Sequence, residues 1–448
     1  MSDQVHDRLT NETVELLQAL IRNECVNDGT PESGNEDRSA RLLRDELETS
    51  GVDLQVFETL PGRSSLVARW PGTDPTAPAL CLMGHTDVVP VSPEGWRHDP
   101  FGGELIDGEV WGRGAVDMLN LTSTMTVAFR HLVTSGKRYP GDIVYFAVAD
   151  EEAGGTHGAK ALVDREWDFL HCDYVLTEFG GIPLNTPGGT SLLISVAEKG
   201  LGWRRLKVSG SPGHGSMPYG ADNALVKAAD VVNRLSRYRP SPHLDDLWEG
   251  RIEAMGLPED YVAKLFDPGF LAEAIAEMPP DLARYAHACT HTTFSPNVIQ
   301  GGVKTNVIPD EVVIEVDIRT LPGETSEDID AHLAAALGDI NDQVSVEVIQ
   351  QHEASQSSME SPLWNALIKS TESAYPGAAL IPSLITGGTD ARFFRARGAV
   401  AYGAGLLSPA VDAGEFSRRF HGHNERIDIE SLRLTVGLWL DVVDHLWN

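Results

Sequence analysis

The sequence predicts an α/β protein, a mostly parallel sheet flanked by helices, interrupted by a smaller α+β module. Three observations carry this. Short apolar runs alternate with helical segments up to Lys199. The runs Ala79–Met83, Ile143–Ala149 and Tyr174–Leu176 are apolar on both faces, as strands covered by helices on either side must be. After Lys199 the order becomes βαββαβ, that of a ferredoxin-like module, and from Ser355 the first texture returns.

The elements follow in order. Val14, Leu16, Leu17, Leu20 and Ile21 keep helical spacing. The breaker-rich stretch Asn27–Asn35 separates them from a second helix, Asp37–Glu48, stopped at Gly51. Leu119–Thr134 is a crossover helix between the first two apolar strands. In the module, Leu201–Val208 is a strand, Asn223–Tyr238 a helix, and Thr292–Gln300 and Glu311–Arg319 are strands. Ser326–Leu337 is its second helix and Val344–Ile349 its closing strand. Asp245–Thr290 is additional helical material that enlarges the module. The expected organisation is one α/β domain in two segments, 1–198 and 353–448, with an inserted domain at 199–352.

Composition narrows the function classes. A chain of 448 residues holds two or three domains at about 150 residues each. With 42% hydrophobic and 23% charged residues it is globular. Lys and Arg number 35 against 66 Asp and Glu, a net charge of −31 that repels phosphate backbones and anionic lipid. No nucleic-acid or membrane partner is expected. No apolar run approaches the roughly 20 residues of a membrane span, and Met1–Leu9 lacks the pattern of a signal peptide. Cys25, Cys81, Cys172 and Cys289 form no CxxC pair, so a cytoplasmic setting with reduced thiols is expected. Neither GxGxxG after a first strand nor GxxxxGK[ST] appears, which excludes a nucleotide loop.

In open α/β sheets chemistry collects beyond the carboxyl ends of the strands. Here the first apolar run leads into Gly84-His85-Thr86-Asp87, the second into Asp150-Glu151-Glu152, and the third into Glu178. A solvated acidic loop accounts for any one of these. Three strands each ending in a metal-competent side chain point to a metal site. His85 and Asp87, two residues apart, share one face of an extended segment. The Asp87 carboxylate can then accept from the imidazole nitrogen that is not on the metal. Asp117, in GRGAVDM, stands just before the crossover helix, where Asp also serves as an N-cap. Of the adjacent Glu151 and Glu152, one can ligate while the other stays free to take a proton. His421 and His423 compete as a further ligand, and spacing alone does not choose between them.

Taken in order, these motifs resemble the dinuclear zinc peptidase family that includes aminoacylases, acetylornithine deacetylase, succinyl-diaminopimelate desuccinylase and glutamate carboxypeptidase. The matched set is GHTDVVP (Gly84–Pro90), GRGAVDM (Gly112–Met118), DEE (Asp150–Glu152), TEFGG (Thr177–Gly181), GHGSMP (Gly213–Pro218), TNVIPDE (Thr305–Glu311), GGTDAR (Gly387–Arg392) and HGHNERI (His421–Ile427). PESGNE (Pro31–Glu36) is similar to the family's N-terminal loop. The resemblance covers essentially the whole chain. It implies a zinc-peptidase catalytic domain with an inserted lid and dimerisation domain. A first metal would be held by His85 and Glu178, a second by Glu152 and His421, with Asp117 bridging. His421 is preferred to His423 because the family's last ligand lies three residues before an Asn/Asp-Glu pair, here Asn424-Glu425. Asp87 would orient His85, Glu151 would be the general base of a metal-activated water, and a cis peptide would follow Asp117.

The family-matched His214, Asn306, Arg319, Gly388 and Arg392 would bind substrate, Arg319 and Asn306 through its carboxylate and His214 at the oxyanion, from the neighbouring subunit in dimeric members. An Arg fork suits a carboxylate. Charge counting supports two metals without the family: two divalent ions balance three ligating carboxylates and a hydroxide. Nitrogen and oxygen donors without thiolate suit zinc, with cobalt or manganese able to substitute. The expected activity is hydrolysis of an amide or peptide bond in a small substrate with a free carboxylate, of carboxypeptidase or dipeptidase type. An N-acyl-amino-acid deacylase with the same mechanism is the alternative, and a catalytically silent metal-binding relative is the alternative of another class. A serine hydrolase using Ser216 beside His214 fails the GxSxG pattern, since Pro218 stands where Gly belongs. A homodimer through the lid is the expected assembly.

Overall fold

The computed structural model describes residues 3–447; Met1, Ser2 and Asn448, which the two outer segments include, lie outside the described residues. The doubly apolar runs build the centre of a ten-stranded sheet. Ile143–Val148, Leu80–His85, Tyr174–Thr177 and Val400–Gly403 lie in that order, all parallel. Successive residues feed opposite helical layers: Leu80 and Leu82 join one core, Cys81 and Met83 the other. That is why these strands carry no polar alternation. Antiparallel strands extend both sides, with Arg63–Trp70 and Asp53–Leu60 at one edge and Gly189–Glu198 leading to the other. Helices Asp3–Arg22, Leu119–Thr134 and Ile429–Leu446 pack together on one layer. All of Leu119–Phe129 is buried, as a crossover helix trapped between sheet and outer helices must be.

The βαββαβ order is present as Gly200–Ser209, Ala224–Arg237, Thr293–Gly301, Glu311–Thr320, Ser326–Leu337 and Val344–His352. Its four strands form a separate antiparallel sheet. Both helices start on side-chain caps: Asn223 accepts from Leu225 N–H, and Thr325 forms a capping box with Asp328. Val312, Ile314, Val316 and Ile318 pack beneath those helices, which leaves Arg319 on the opposite face. The chain enters and leaves this module side by side, with Glu198 paired to Ser355 and Ala197 to Gln356.

The additional material is four helices, Asp246–Ala254, Glu259–Phe266, Leu271–Ala276 and Pro280–Thr290, around a core of their own that includes Trp248, Leu265 and Leu271. It does more than enlarge the module: Asp246–Ala254 packs on Leu380–Ile385, a strand of the large sheet. All four cysteines are free. Among the described residues no helix is long and apolar enough to cross a membrane.

Candidate metal centre

Because the central strands run parallel, their carboxyl ends open on one side, and the side chains named above meet there. His85 ends its strand fully buried, and its carbonyl accepts from Thr122 Oγ1 at 2.7 Å. Its Nε2 lies 3.1 Å from Asp117 Oδ1 and 3.7 Å from Glu178 Oε2. Asp117 Oδ2 lies 2.9 Å from His421 Nε2, which is 3.5 Å from Glu152 Oε2. Asp117 therefore stands between the two imidazoles with one oxygen turned to each. It does not cap the helix: the cap position is Met118, and the Asp117–Met118 peptide is cis. Donor atoms of His85, Asp117 and Glu152 lie within 4.8 Å of one another, as do those of His85, Glu151 and Glu178.

The structure brings His421, not His423, to this cluster. The His421 ring stacks on Phe420 at 4.2 Å. The His423 ring lies over Gly95, where a Cβ would sit 2.3 Å from it.

Asp87 needs a correction. His85 Nδ1 donates to the Asp87 backbone carbonyl at 2.9 Å, while the nearest carboxylate oxygen is 3.7 Å away. The carboxylate instead accepts from Glu151 N–H at 3.2 Å, Glu152 N–H at 3.1 Å and Asn27 Nδ2 at 2.8 Å. It holds the turn that carries the two glutamates. A period of two aligned the side chains, but the backbone oxygen of Asp87 lies closer to the ring than its carboxylate does.

The electrostatics leave negative charge in want of a partner. Burial, then the charge of Glu178, holds the Glu151 carboxyl well above the usual range. Burial and Asp117 push Glu152 up to about 7; burial lifts Glu178 to about 8 despite its contact with His85. Burial would lower His421, but the hydrogen bonds of Asp117 and Glu152 outweigh it and push the ring up to about 10. Glu152 Oε1 is buried without a hydrogen-bond partner. Such an acceptor costs free energy unless a cation or donor meets it. Clustered carboxylates, two imidazole nitrogens and no thiolate fit divalent metal.

Several supports were not legible as site residues. Glu425 accepts from Val116 N–H at 2.7 Å and Asp117 N–H at 3.1 Å, and pairs with Arg113 at 2.6 Å. Arg113 and Glu425 are both buried, and the pair ties the Asp117 loop to the His421 loop. Glu425→Ala is expected to lower stability by about 3–5 kcal/mol, the cost of stranding a buried charge, measured by denaturant unfolding. Glu36, from the PESGNE stretch, accepts from Asp150 N–H at 3.2 Å and pairs with Arg63 at 2.7 Å, bracing the turn from behind. Asp390 is buried with neither carboxylate oxygen hydrogen-bonded; burial pushes it up to about 7, and its charge is felt at Glu151. The three carboxylates, Glu36, Asp390 and Glu425, lie inside quoted motifs, but nothing in a motif marks a loop carboxylate as buried.

A cleft of about 480 Å³ opens over the cluster, lined by Glu151, Glu152, His421, Gly388 and Arg392 and, from the inserted module, Arg319. Arg319 also pairs with Asp317 at 2.8 Å. The Arg392 guanidinium donates to the carbonyls of Thr389 at 2.7 Å and Gly154 at 2.8 Å, so it braces the loop that bears it. His214 and Asn306 lie elsewhere, on an exposed ribbon where Gly213–His214 pairs with Val307–Ile308. His214 Nδ1 is 2.8 Å from Ser216 Oγ, but among the described residues no carboxylate orients that ring, so a serine triad is not formed.

The comparisons with known proteins agree with this geometry. Aminoacylase-1 of Sus scrofa is 29% identical over 396 residues, 86% of this chain and 84% of its own length. A probable carboxypeptidase S-like 2 of Dictyostelium discoideum is 28% identical over 397 residues, 85% of this chain and 74% of its own. The M20 family metallo-carboxypeptidase Sso-CP2 from Sulfolobus solfataricus shares the fold, with a TM-score of 0.71 at 18% identity over 97% of this chain and 99% of that one. The model of peptidase family M20/M25/M40 matches residues 81–445, from the strand that ends in His85 to the last helix, and the chain belongs to that family of metal-dependent hydrolases.

Proposed function

We propose that this chain is a two-metal hydrolase that cleaves an amide or peptide bond in a small substrate bearing a free carboxylate, with zinc as the metal. The observation that carries the reading is the convergence of His85, Asp117, Glu152, Glu178 and His421 beneath a cleft faced by Glu151. His85 and Glu178 would hold one ion, Glu152 and His421 the other, and Asp117 both. When bound, the ions supply Lewis acidity that polarises a carbonyl and makes water acidic enough to lose a proton near neutral pH. Glu151, which faces the cleft beside the cluster, would take that proton and return it to the departing amine nitrogen. Asp87 keeps Glu151 in place through its backbone amide. Arg319 receives the substrate carboxylate at the far side of the cleft. The loop of Gly388 and Arg392 walls the same space.

The module between residues 199 and 352 would act as lid and dimer surface. His214 and Asn306, away from this chain's own cleft, would then complete the site of a second copy. Exposed Met217, Tyr219 and Val303 beside them support a buried contact there. A cytoplasmic setting is supported by four free cysteines. The carboxypeptidase or dipeptidase reading has one rival, N-acyl-amino-acid deacylation, favoured by the likeness to aminoacylase-1. A catalytically silent role is disfavoured by Glu151 and Asp117 at the cleft.

The test is metal analysis followed by a release assay on dipeptides and N-acyl amino acids with added zinc, cobalt or manganese. Failure of every amide would remove the reading. Arg319→Ala is expected to raise KM about 10–100-fold for substrates with a free carboxylate, and to leave amides lacking one unchanged. Equal losses on both would take the carboxylate away from Arg319.

A further inference from the structure

The strand Leu380–Ile385 delivers the chain into Gly387–Arg392, the loop that walls the cleft. Its last two carbonyls are each held from outside the large sheet's own helices. Tyr285 Oη, in the last helix of the 245–290 insert, donates to the Leu384 carbonyl at 2.8 Å. Lys199 N–H, at the crossing into the module, donates to the Ile385 carbonyl at 2.9 Å. Two further contacts tie these residues to the insert. Lys199 Nζ, buried, donates to the carbonyls of Ala288 at 2.8 Å and His291 at 2.6 Å, where the insert's last helix ends. The Arg251 guanidinium lies 4.5 Å from the Tyr285 ring centroid and donates to its oxygen at 3.3 Å. Beyond the strand, the buried Glu198 carboxylate accepts from Thr389 N–H within the loop and pairs with Arg395 at 2.9 Å. The loop is thus pinned at its base by the insert and in its middle by the crossing.

We propose that the helical insert is a positioning element for the Gly387–Arg392 loop, acting through Tyr285 on the strand end that launches it. The inference rests on the proposed hydrolase reading for its kinetic consequence. Tyr285 does not line the cleft, whereas Lys199 does. Tyr285 therefore acts only by setting where Gly388 and Arg392 stand, and so how well a substrate is seated before chemistry.

The test uses the full, metal-loaded chain carrying Tyr285→Phe, with Tyr261→Phe as comparison. Tyr261 Oη donates to the Ala274 carbonyl at 2.8 Å wholly inside the insert. Hydrogen exchange over residues 386–392, read without substrate, is expected to quicken about fivefold in Tyr285→Phe, the scale of one lost hydrogen bond, and to stay unchanged in Tyr261→Phe. KM is expected to rise by about the same factor with kcat within about twofold. A stability role alone would lower the unfolding midpoint without that split. Unchanged exchange, or quickened exchange with an unchanged KM, would overturn the proposal. If no amide is hydrolysed, the hydrolase reading fails, and the exchange measurement still decides whether the insert pins the loop.

Discussion

Glu151→Ala is expected to leave two divalent ions bound per chain while kcat falls by on the order of 10³-fold or more, the upper part of what a positioned base contributes. The carboxylate sits on a short turn, Glu151–Ala153, whose first two amides are fixed by Asp87. Removing the side chain leaves that turn and the Glu152 ligand in place. Metal content by mass spectrometry, beside steady-state kinetics, gives the decisive pair of numbers. Glu151 also lies within 4.8 Å of the donor atoms of His85 and Glu178. One lost ion would make it a ligand instead of a base, and near-normal turnover would remove it from the chemistry.

Asp117→Ala is expected to drop metal content below one ion per chain and kcat/KM by on the order of 10⁴-fold, several kcal/mol of lost Lewis-acid stabilisation. Its two oxygens are the nearest carboxylate atoms to both imidazoles, at 3.1 and 2.9 Å. No neighbour reproduces that position, so excess zinc should not restore activity. The loop itself should survive, because Glu425 holds the backbone amides of Val116 and Asp117 regardless of the side chain. Retention of both ions by this variant would contradict the bridging assignment.

Strands covered on both faces were readable in the sequence because burial on both sides removes every polar residue. The bounds of the helices Leu119–Thr134 and Ser326–Leu337 were readable to the residue, although only the second starts on a side-chain cap. The outer strands Asp53–Leu60 and Arg63–Trp70 escaped notice. They mix polar residues with apolar ones, and Arg63 is buried for a reason that lies in the loop holding Glu36. His85, Glu152 and Glu178 stood out because they follow apolar runs, while Asp117 and His421 were placed by the family resemblance. Their supports did not: Glu425 and Asp390 are carboxylates in polar loops, and only the chain folding over them makes them interior. The Asp87 contact shows the same limit at finer scale, since side-chain period says nothing of where the residue's own carbonyl points.

The paired crossing at Glu198 and Ser355 has a consequence for how such a molecule can be rebuilt. Two antiparallel partners in a ladder have Cα atoms roughly 5 Å apart, a gap that a hairpin turn spans. The whole intervening stretch is therefore a cassette: it can be cut out and resealed, or exchanged for that of a relative, without lengthening the backbone on either side of the graft.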